Sequence, residues 1–310
     1  MSRIALATLV LALALSLGCR DSNNSGNQDA NVNPSDGGTQ TDTGTTGDGG
    51  GQYTFDTVAA LRAAPPAVFT PVTVNTAVVT GLTGNYKNLY IQDLAGGPRS
   101  GIALYCNFDA SSNKCPIPES TMKTFKPGQK VKVVGTWDIY KDKEEIKPTA
   151  ITVLDAASTT LPPFAQLTAA QAAETLTQSD YEGCLVEISG VSSTTPLTVT
   201  STTPAAFRND SFTTDCLHGP SYSAFEVWDN TSTIAVTTTF YRSIDLATEA
   251  MCIMIFDGGP GDRLVVVGDK FNKLAGILDK DLYNMEGIIL NPAGEDQYEY
   301  VAAGDHDGGL

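Results

Sequence analysis

Short stretches in which apolar and polar residues alternate recur along most of the chain after residue 70. Val, Ile, Tyr and Thr dominate these stretches, and Gly, Asn and Pro occupy the gaps between them. Successive side chains of a strand point to opposite faces, so this pattern predicts β-strands with one buried face. In the first half of the chain we predict strands at 72–82, 87–93, 100–106, 129–140 and 145–154.

The second half of the chain repeats this plan with longer insertions. Its predicted strands are 183–191, 223–230, 233–242, 271–281 and 283–292. NLYIQD corresponds to FEVWDN, and GQKVKVVGTW corresponds to GDKFNKLAGIL, whereas Pro148 and Pro292 leave the match of the last strands open. A short helix precedes each set, with Asp56 and Thr168 as predicted N-caps. We therefore predict an all-β fold with two tandem OB-like five-stranded barrels, each preceded by a short helix.

The first 52 residues have a different pattern. Arg3 is followed by an apolar run from Ile4 to Leu17, which is too short to span a membrane and is typical of a signal peptide covering 1–18. LSLGC resembles a bacterial lipobox and predicts that Cys19 is lipidated; an ordinary secretory cleavage site is the alternative. Residues 20–52 are polar and lack aromatic side chains, so 19–52 is predicted to be an anchored, disordered tether.

Charge is distributed unevenly along the remaining chain. The formal net charge is −16, yet residues 53–155 contain 11 Lys and Arg against 9 Asp and Glu. Residues 156–310 contain 6 Lys and Arg against 21 Asp and Glu. This contrast predicts two domains, 53–155 and 156–310, the second with insertions and an acidic tail. An acidic surface of this kind repels the phosphates of nucleic acid.

No residue pattern typical of an active site is found in the sequence. His218 lies in a loop rich in Gly, Pro and Ser, and His306 lies in the C-terminal tail. The chain has no Walker A, Gly-x-Ser-x-Gly or His-Glu-x-x-His sequence, and FDGGPGD lacks the alternating oxygen ligands of an EF-hand. We predict a protein that is not an enzyme and has no metal site and no cofactor.

The cysteines that follow Cys19 are typical of an oxidising compartment. Cys106 and Cys115 enclose a short loop directly after a predicted strand, so a disulfide is expected between them. Cys184 occupies an apolar position of a predicted strand and is expected in the core. That leaves Cys216 and Cys252 as a second pair, although three cysteines allow three pairings.

Several segments resemble the OB-like regions of secreted bacterial extracellular nucleases. YKNLYIQDLAGG, GIALY and KPGQKVKVVGTWDIYKDKEEIKP resemble OB-fold segments of secreted bacterial proteins, and SDYEGCLVEISGV resembles a strand of the nucleases' OB-like regions. The resemblance covers roughly residues 70–155 and 180–295. It implies the OB fold for both halves of the chain. The metal-dependent catalytic domain of those nucleases is missing here, so the resemblance does not carry their activity over.

Two classes of function follow. The first is a non-catalytic lipoprotein of the outer membrane, facing the periplasm or the cell surface, that binds or scaffolds a protein or glycan partner. The alternative is a nucleic-acid-binding OB protein accessory to a secreted nuclease or DNA-handling system, although the charge argues against nucleic acid. Candidate ligand-binding residues are Tyr86, Lys87, Tyr90, Trp137, Tyr140, Lys141 and Lys143. The same aromatic residues could instead pack the barrel while the lysines are solvated.

We predict that Cys19 is the mature N-terminus and carries acyl chains. Mass spectrometry of protein extracted from membranes should detect them on this residue. A soluble product cut elsewhere between residues 15 and 30 would contradict the lipid anchor.

Overall fold

A computed structural model describes the greater part of the chain between residues 51 and 302. The described ranges are 51–83, 86–108, 114–174, 180–190, 195–201, 224–237, 254–255, 263–264, 267–280, 288–291 and 298–302. The predicted signal peptide, most of the tether, Cys216, Cys252, His218 and His306 lie outside these ranges.

The first barrel consists of six strands and two short helices. Its strands are β1 (Tyr53–Phe55), β2 (Pro71–Leu82), β3 (Asn88–Gln92), β4 (Gly101–Tyr105), β5 (Lys130–Tyr140) and β6 (Lys143–Asp155), and its helices are α1 (Val58–Ala63) and α2 (Glu119–Met122). Strand β2 pairs with β3, β3 with β4, β4 in parallel with β6, β6 with β5, and β5 again with β2. The sheet therefore closes into a five-stranded OB-like barrel, which β1 extends in parallel to β2.

The second barrel repeats each of these pairings. Its elements are β7 (Ala165–Leu167), α3 (Ala169–Ala173), β8 (Leu185–Ser189), β9 (Leu197–Ser201), β10 (Ala224–Trp228), β11 (Thr233–Thr237), β14 (Lys270–Lys280), β15 (Ile288–Asn291) and β16 (Tyr298–Ala302). β8 and β9 together replace β2, and β10, β11, β14 and β15 replace β3, β4, β5 and β6. β7 replaces β1 and β16 is an addition beside β14. A further antiparallel pair, β12 (Met254–Ile255) with β13 (Arg263–Leu264), forms a separate two-stranded sheet.

The predicted all-β fold with two OB-like barrels is confirmed. All five predicted strands of the first barrel are present within one or two residues of their predicted ends. In the second barrel the predicted strand 183–191 is β8, and the open question about the last strands is settled by pairing. In the first barrel β6 runs parallel to β4 and antiparallel to β5. In the second barrel β15 runs parallel to β11 and antiparallel to β14 in the same way. The predicted domain boundary at 155/156 falls between β6 and β7, and the division into the domains 53–155 and 156–310 stays a prediction.

Each barrel has its own apolar core, built from the inward-facing side chains of its strands. Trp137, the largest of them, is fully buried in the first core. Phe225 and Phe271 stack in the second, with ring centroids 5.9 Å apart. Burial of one large aliphatic side chain contributes about 1.5–3 kcal/mol, so the alternating patterns supply most of the stability of both barrels.

The aspartate at the end of NLYIQD binds the start of the helix that precedes its barrel. Both carboxylate oxygens of Asp93 accept hydrogen bonds, from the N–H groups of Val58 (2.7 Å) and Ala59 (2.8 Å) in α1. Burial raises the pKa of Asp93, and these two bonds lower it in part. The first N–H groups of a helix have no partner within the helix, so Asp93 joins the end of β3 to α1.

Asp229 does the same work at the equivalent place in the second barrel. It accepts a hydrogen bond from the N–H of Ala169 in α3 at 3.1 Å, and others from Thr231 and Ser232. Burial raises the pKa of Asp229, but these hydrogen bonds outweigh burial and leave it lowered. The sequence match between NLYIQD and FEVWDN therefore records a shared helix cap.

One predicted N-cap is wrong and the other is confirmed. The side chain of Thr57, and not of Asp56, accepts the hydrogen bond from Ala60 N, because Asp56 instead accepts one from Asn75. Thr168 caps α3 and forms a capping box with Gln171.

The matched Gly-Gln and Gly-Asp turns also occupy equivalent places. Val79 N donates to Gln129 O at 2.9 Å, and Gly128 N donates to Val79 O at 2.8 Å. In the second barrel Val199 N donates to Asp269 O at 2.8 Å, and Gly268 N donates to Val199 O at 2.9 Å. The repeat is thus preserved down to single backbone hydrogen bonds.

The predicted disulfide between Cys106 and Cys115 is present, and Cys184 is a buried free thiol as expected. The predicted pairing of Cys216 with Cys252 falls outside the described residues. Within the described ranges no helix has the length and hydropathy needed to cross a membrane.

We predict that Asp93→Ala and Asp229→Ala each lower the free energy of unfolding by roughly 1–3 kcal/mol, because buried helix N–H groups lose their acceptors. Urea unfolding followed by circular dichroism measures the change. Asp56→Ala is the matched control and should have little effect, since Asp56 does not cap α1. An equal loss in the control would contradict the assignment of the cap.

Candidate functional site

OB barrels most often bind ligands on the face formed by their second and third strands and on two adjoining loops. In the first barrel this face is formed by β3 and β4, and the adjoining loops include residues 83, 86–87 and 141–142. In the second barrel it is formed by β10 and β11. The two faces differ in what they contact.

The face of the first barrel is covered by the second barrel. Tyr90 and Ala103 pack against Leu185 and Ile277, and all four side chains are buried. Phe164 and Leu161, from the segment that connects the barrels, pack against the same cluster. We call this contact the inter-barrel interface.

Two glycines bring the backbones together at the inter-barrel interface. A Cβ atom on Gly101 would overlap the carbonyl group of Gly183. A Cβ atom on Gly183, which has a φ of 77°, would lie 2.8 Å from the N atom of Ile102. Beside them, Leu185 N donates a hydrogen bond to the side-chain oxygen of Gln92 at 2.9 Å. Only glycine at both positions permits this approach.

A buried ion pair also crosses the interface. Lys143, from the start of β6, contacts the carboxylate of Asp279 in β14, and the hydroxyl of Tyr90 donates to the same carboxylate. Lys143 also lies 5.4 Å from the centre of the Tyr90 ring. Two residues predicted to bind a ligand therefore bind an aspartate of the second barrel.

The buried guanidinium of Arg62, at the end of α1, joins three partners at the edge of this contact. It donates to Glu144 Oε2 at 2.5 Å, to Gly101 O at 2.9 Å and to Glu182 O at 3.1 Å. Arg99 in turn donates to the backbone oxygen of Arg62. Arg62, through Glu182, and Arg99, whose backbone N donates to Asp180 O at 2.5 Å, thus hold the two barrels together.

Two carboxyl groups near the interface are buried without enough positive charge or hydrogen bonding to offset the cost of ionising them. Burial raises the pKa of Glu182 to about 7, an effect that Lys143 and Arg62 oppose and Asp279 and Glu144 reinforce. Glu182 Oε1 has no hydrogen-bond partner among the described residues. Burial likewise raises the pKa of Glu145 to about 7, with Lys147 and Lys143 opposing and Asp138 and Asp279 reinforcing it.

The predicted ligand-binding residues are divided among three environments. Tyr90, Trp137 and Lys143 are buried, so a ligand at the surface does not reach them. Tyr86 and Lys87 are half-buried before β3, and Lys123 Nζ lies 4.5 Å from the centre of the Tyr86 ring. Tyr140 and Lys141 are exposed at the turn between β5 and β6, with Lys141 Nζ 5.7 Å from the Tyr140 ring. The alternative that the aromatics pack the barrel applies to Trp137, and Tyr86 also packs partly against the first core.

The equivalent face of the second barrel carries Trp228, Thr233 and Thr200, which are exposed among the described residues. The Trp228 side chain is 39% exposed and stands at the position that Gln92 occupies in the first barrel, directly before the capping aspartate. Its cross-strand neighbours are Thr198 in β9 and Thr233 in β11. Cross-strand pairs share one face of a sheet, so a threonine stands on each side of the indole.

A second polar pair lies on the same open face. Thr200 Oγ1 donates to Glu226 Oε1 at 3.0 Å, and Glu226 pairs with Ala235 across β10 and β11. We call Trp228, Thr198, Thr233, Thr200 and Glu226 the open face; Ala235 beside Glu226 is buried. The sequence analysis did not select Trp228, although the alternation in FEVWD places Phe225 and Val227 inside and Trp228 outside.

The described ranges contain no cluster of three or more His, Cys, Asp or Glu side chains able to hold a metal ion. The groups that the open face presents are the indole ring of Trp228, the threonine hydroxyl groups and the carboxylate of Glu226.

Comparison with known proteins found no matching family model and no matching curated protein. Solved structures with some likeness include a murine DNA-binding protein bound to double-stranded DNA, at 10% identity and TM-score 0.29, covering 75% of this chain and 99% of that one. The p204 HINb domain has 12% identity and TM-score 0.26, covering 76% and 98%. The tetrameric p202 HIN2 has 11% identity and TM-score 0.26, covering 76% and 94%. At such scores these likenesses carry no conclusion about a ligand.

We predict that the protein loses stability as pH rises from about 5 to about 8. Glu145 and Glu182 have a folded-state pKa of about 7, above the ordinary value of 4.5. Folding therefore favours their protonated forms, and this contribution is complete below pH 4.5 and is lost as pH rises through 7. Urea unfolding at several pH values should show the free energy of unfolding falling across this range, by up to about 3 kcal/mol for each of the two groups.

Glu182→Gln should reduce this pH dependence and stabilise the protein most at pH 8. Glu119→Gln, at an exposed carboxylate of α2, is the matched control. A Glu182→Gln protein whose stability followed the same pH curve as the wild type would contradict the assignment.

Proposed function

We propose that the chain is a non-catalytic binding module in which the first barrel positions the second, and the open face of the second barrel binds the ligand. The observation that carries this proposal is the exposure of Trp228 on the face whose counterpart in the first barrel is filled by protein. One face already serves as a contact surface, and the other has the same architecture and remains accessible.

The chemistry of the open face favours an uncharged oligosaccharide. An indole offers a flat apolar surface with a polar edge, on which a sugar ring can stack. The hydroxyl groups of Thr198 and Thr233 can exchange hydrogen bonds with sugar hydroxyls on either side. The net negative charge of residues 156–310 disfavours anionic ligands.

We further propose that Cys19 anchors the module to the outer membrane by its lipid, through the tether of residues 20–52. This rests on the LSLGC sequence and on the polar composition of the tether. A chain of that composition has a root-mean-square reach of about 30 Å. Such a tether would let the open face search the envelope near the membrane.

Nucleic-acid binding is the second candidate function, and one structural observation favours it. Tyr140 and Lys141 lie at the turn between β5 and β6. Tyr86 and Lys87 lie between β2 and β3. OB barrels use these two loops for oligonucleotides. The buried positions of Tyr90 and Lys143 remove the centre of that surface, so we place this candidate second.

Tryptophan fluorescence can test both candidates, because the protein has two tryptophans and Trp137 is fully buried. We expect neutral oligosaccharides, with chito- and cello-oligosaccharides as probes, to shift the emission of Trp228 and to protect it from acrylamide. Trp228→Ala should abolish binding measured by calorimetry, and Tyr140→Ala is the matched control.

A labelled single strand and a labelled duplex of DNA form the second arm, at physiological salt. We expect no binding to either. Micromolar binding to DNA that is lost on Lys87→Glu and Lys141→Glu, with no response to any oligosaccharide, would replace the first candidate with the second.

A further inference from the structure

Each barrel has a surface equivalent to the one that the other barrel uses at the inter-barrel interface. On the second barrel, Gly183 N donates to Leu278 O at 2.7 Å, and Leu278 N donates to Cys184 O at 3.0 Å. On the first barrel, Phe69 N donates to Trp137 O at 2.8 Å, and Trp137 N donates to Thr70 O at 2.9 Å. Phe69 is therefore the counterpart of Gly183.

The backbone conformation supports this equivalence. Phe69 has a φ of 67° and Gly183 a φ of 77°, so both are in the left-handed region. Pro71 pairs with Thr136 as Leu185 pairs with Ile277, which makes Pro71 the counterpart of Leu185. The surface around Phe69, which is 71% exposed, thus corresponds to the surface with which the second barrel contacts the first.

The receiving surface has a counterpart as well. Gln92 pairs with Gly101 in the first barrel, and Trp228 pairs with Thr233 in the second. Both pairs come directly before the aspartate that caps a helix. Gly101 therefore corresponds to Thr233, and Gln92 corresponds to Trp228.

The four counterparts differ in the properties that the interface requires. Gly101 and Gly183 let the two backbones meet, whereas their counterparts Thr233 and Phe69 have side chains. A Cβ atom added at Gly101 or Gly183 already overlaps the backbone of the other barrel, so the larger side chains would overlap more. Where Leu185 donates its N–H group to Gln92, Pro71 has no N–H group to donate. Trp228 has no side-chain acceptor to replace the oxygen of Gln92.

We infer that these four residues prevent a second copy of the chain from repeating the inter-barrel interface head to tail. Such a contact would join the Phe69 surface of one copy to the open face of another, and a head-to-tail contact that does not close forms filaments. Steric overlap and the missing hydrogen bond exclude it at both partners. The open face of each copy then stays accessible to other molecules.

The test is sedimentation velocity on the full chain carrying Cys19→Ser, which removes the predicted acylation site. We expect the wild-type sequence to sediment as a monomer over a wide range of concentration. The variant with Phe69→Gly, Pro71→Leu, Trp228→Gln and Thr233→Gly should at least double its mean mass as concentration rises. Phe69→Gly alone should remain monomeric, because Thr233 still blocks the receiving face.

Two results would overturn the inference. One is a folded four-residue variant, as judged by circular dichroism, that stays monomeric at every concentration. The other is a wild-type chain that self-associates and becomes monomeric on Phe69→Gly, since Phe69 would then promote contact between copies.

A reverse variant keeps the test decisive if the four-residue variant does not fold. Gly183→Phe places the blocking side chain at the natural interface and should separate the barrels, so that protease cuts residues 156–164 much faster than in the wild type. Unchanged cleavage would show that the side chain does not block this contact and would overturn the inference.

Discussion

The close approach of Gly101 and Gly183 is the constraint on which the arrangement of the two barrels depends. Two sheets whose side chains face each other normally stand about 10 Å apart. Without a side chain at either position, the backbones meet, and Leu185 can donate its N–H group to Gln92. The same approach brings Asp279 to Lys143 and Tyr90. The apolar contact, the hydrogen bond and the ion pair thus all depend on the absence of side chains at Gly101 and Gly183.

The internal repeat explains why this contact occurs once. Helix caps at Asp93 and Asp229 and the turns after Gly128 and Gly268 are retained in both barrels, because each is required to close a barrel of this type. Surface positions carry no such requirement. Gly101 and Thr233, or Gly183 and Phe69, occupy the same places in the fold and yet have opposite effects on contact. The barrel interior is repeated, and the two exteriors have diverged.

Much of this fold could be predicted from the sequence, because alternation and turn residues are local signals. The five strands of the first barrel from β2 to β6 were predicted, although β1 was not, and Thr168 was predicted as a helix cap. The N-cap of α1 was misassigned because Asp56 and Thr57 are both good caps, and only the distant Asn75 decides between them. Tyr90 and Lys143 were selected as ligand-binding because aromatic and basic residues look alike in sequence whether a ligand or another part of the chain covers them. Their partner, Asp279, is more than a hundred residues away.

The exposure of Trp228 can be compared with the burial of Tyr90 on the equivalent face of the first barrel. Among the large side chains that the strand pattern turns outward, Tyr90 is buried because a second barrel covers its face. Trp228 lies on the corresponding face of the second barrel and is 39% exposed. The exposed part of the Trp228 side chain lacks the stabilisation that full burial gives to Tyr90, which is about 1.5–3 kcal/mol for a fully buried large side chain. A ligand that stacks on the indole would recover part of that energy, and this is the physical reason for locating the function on the open face.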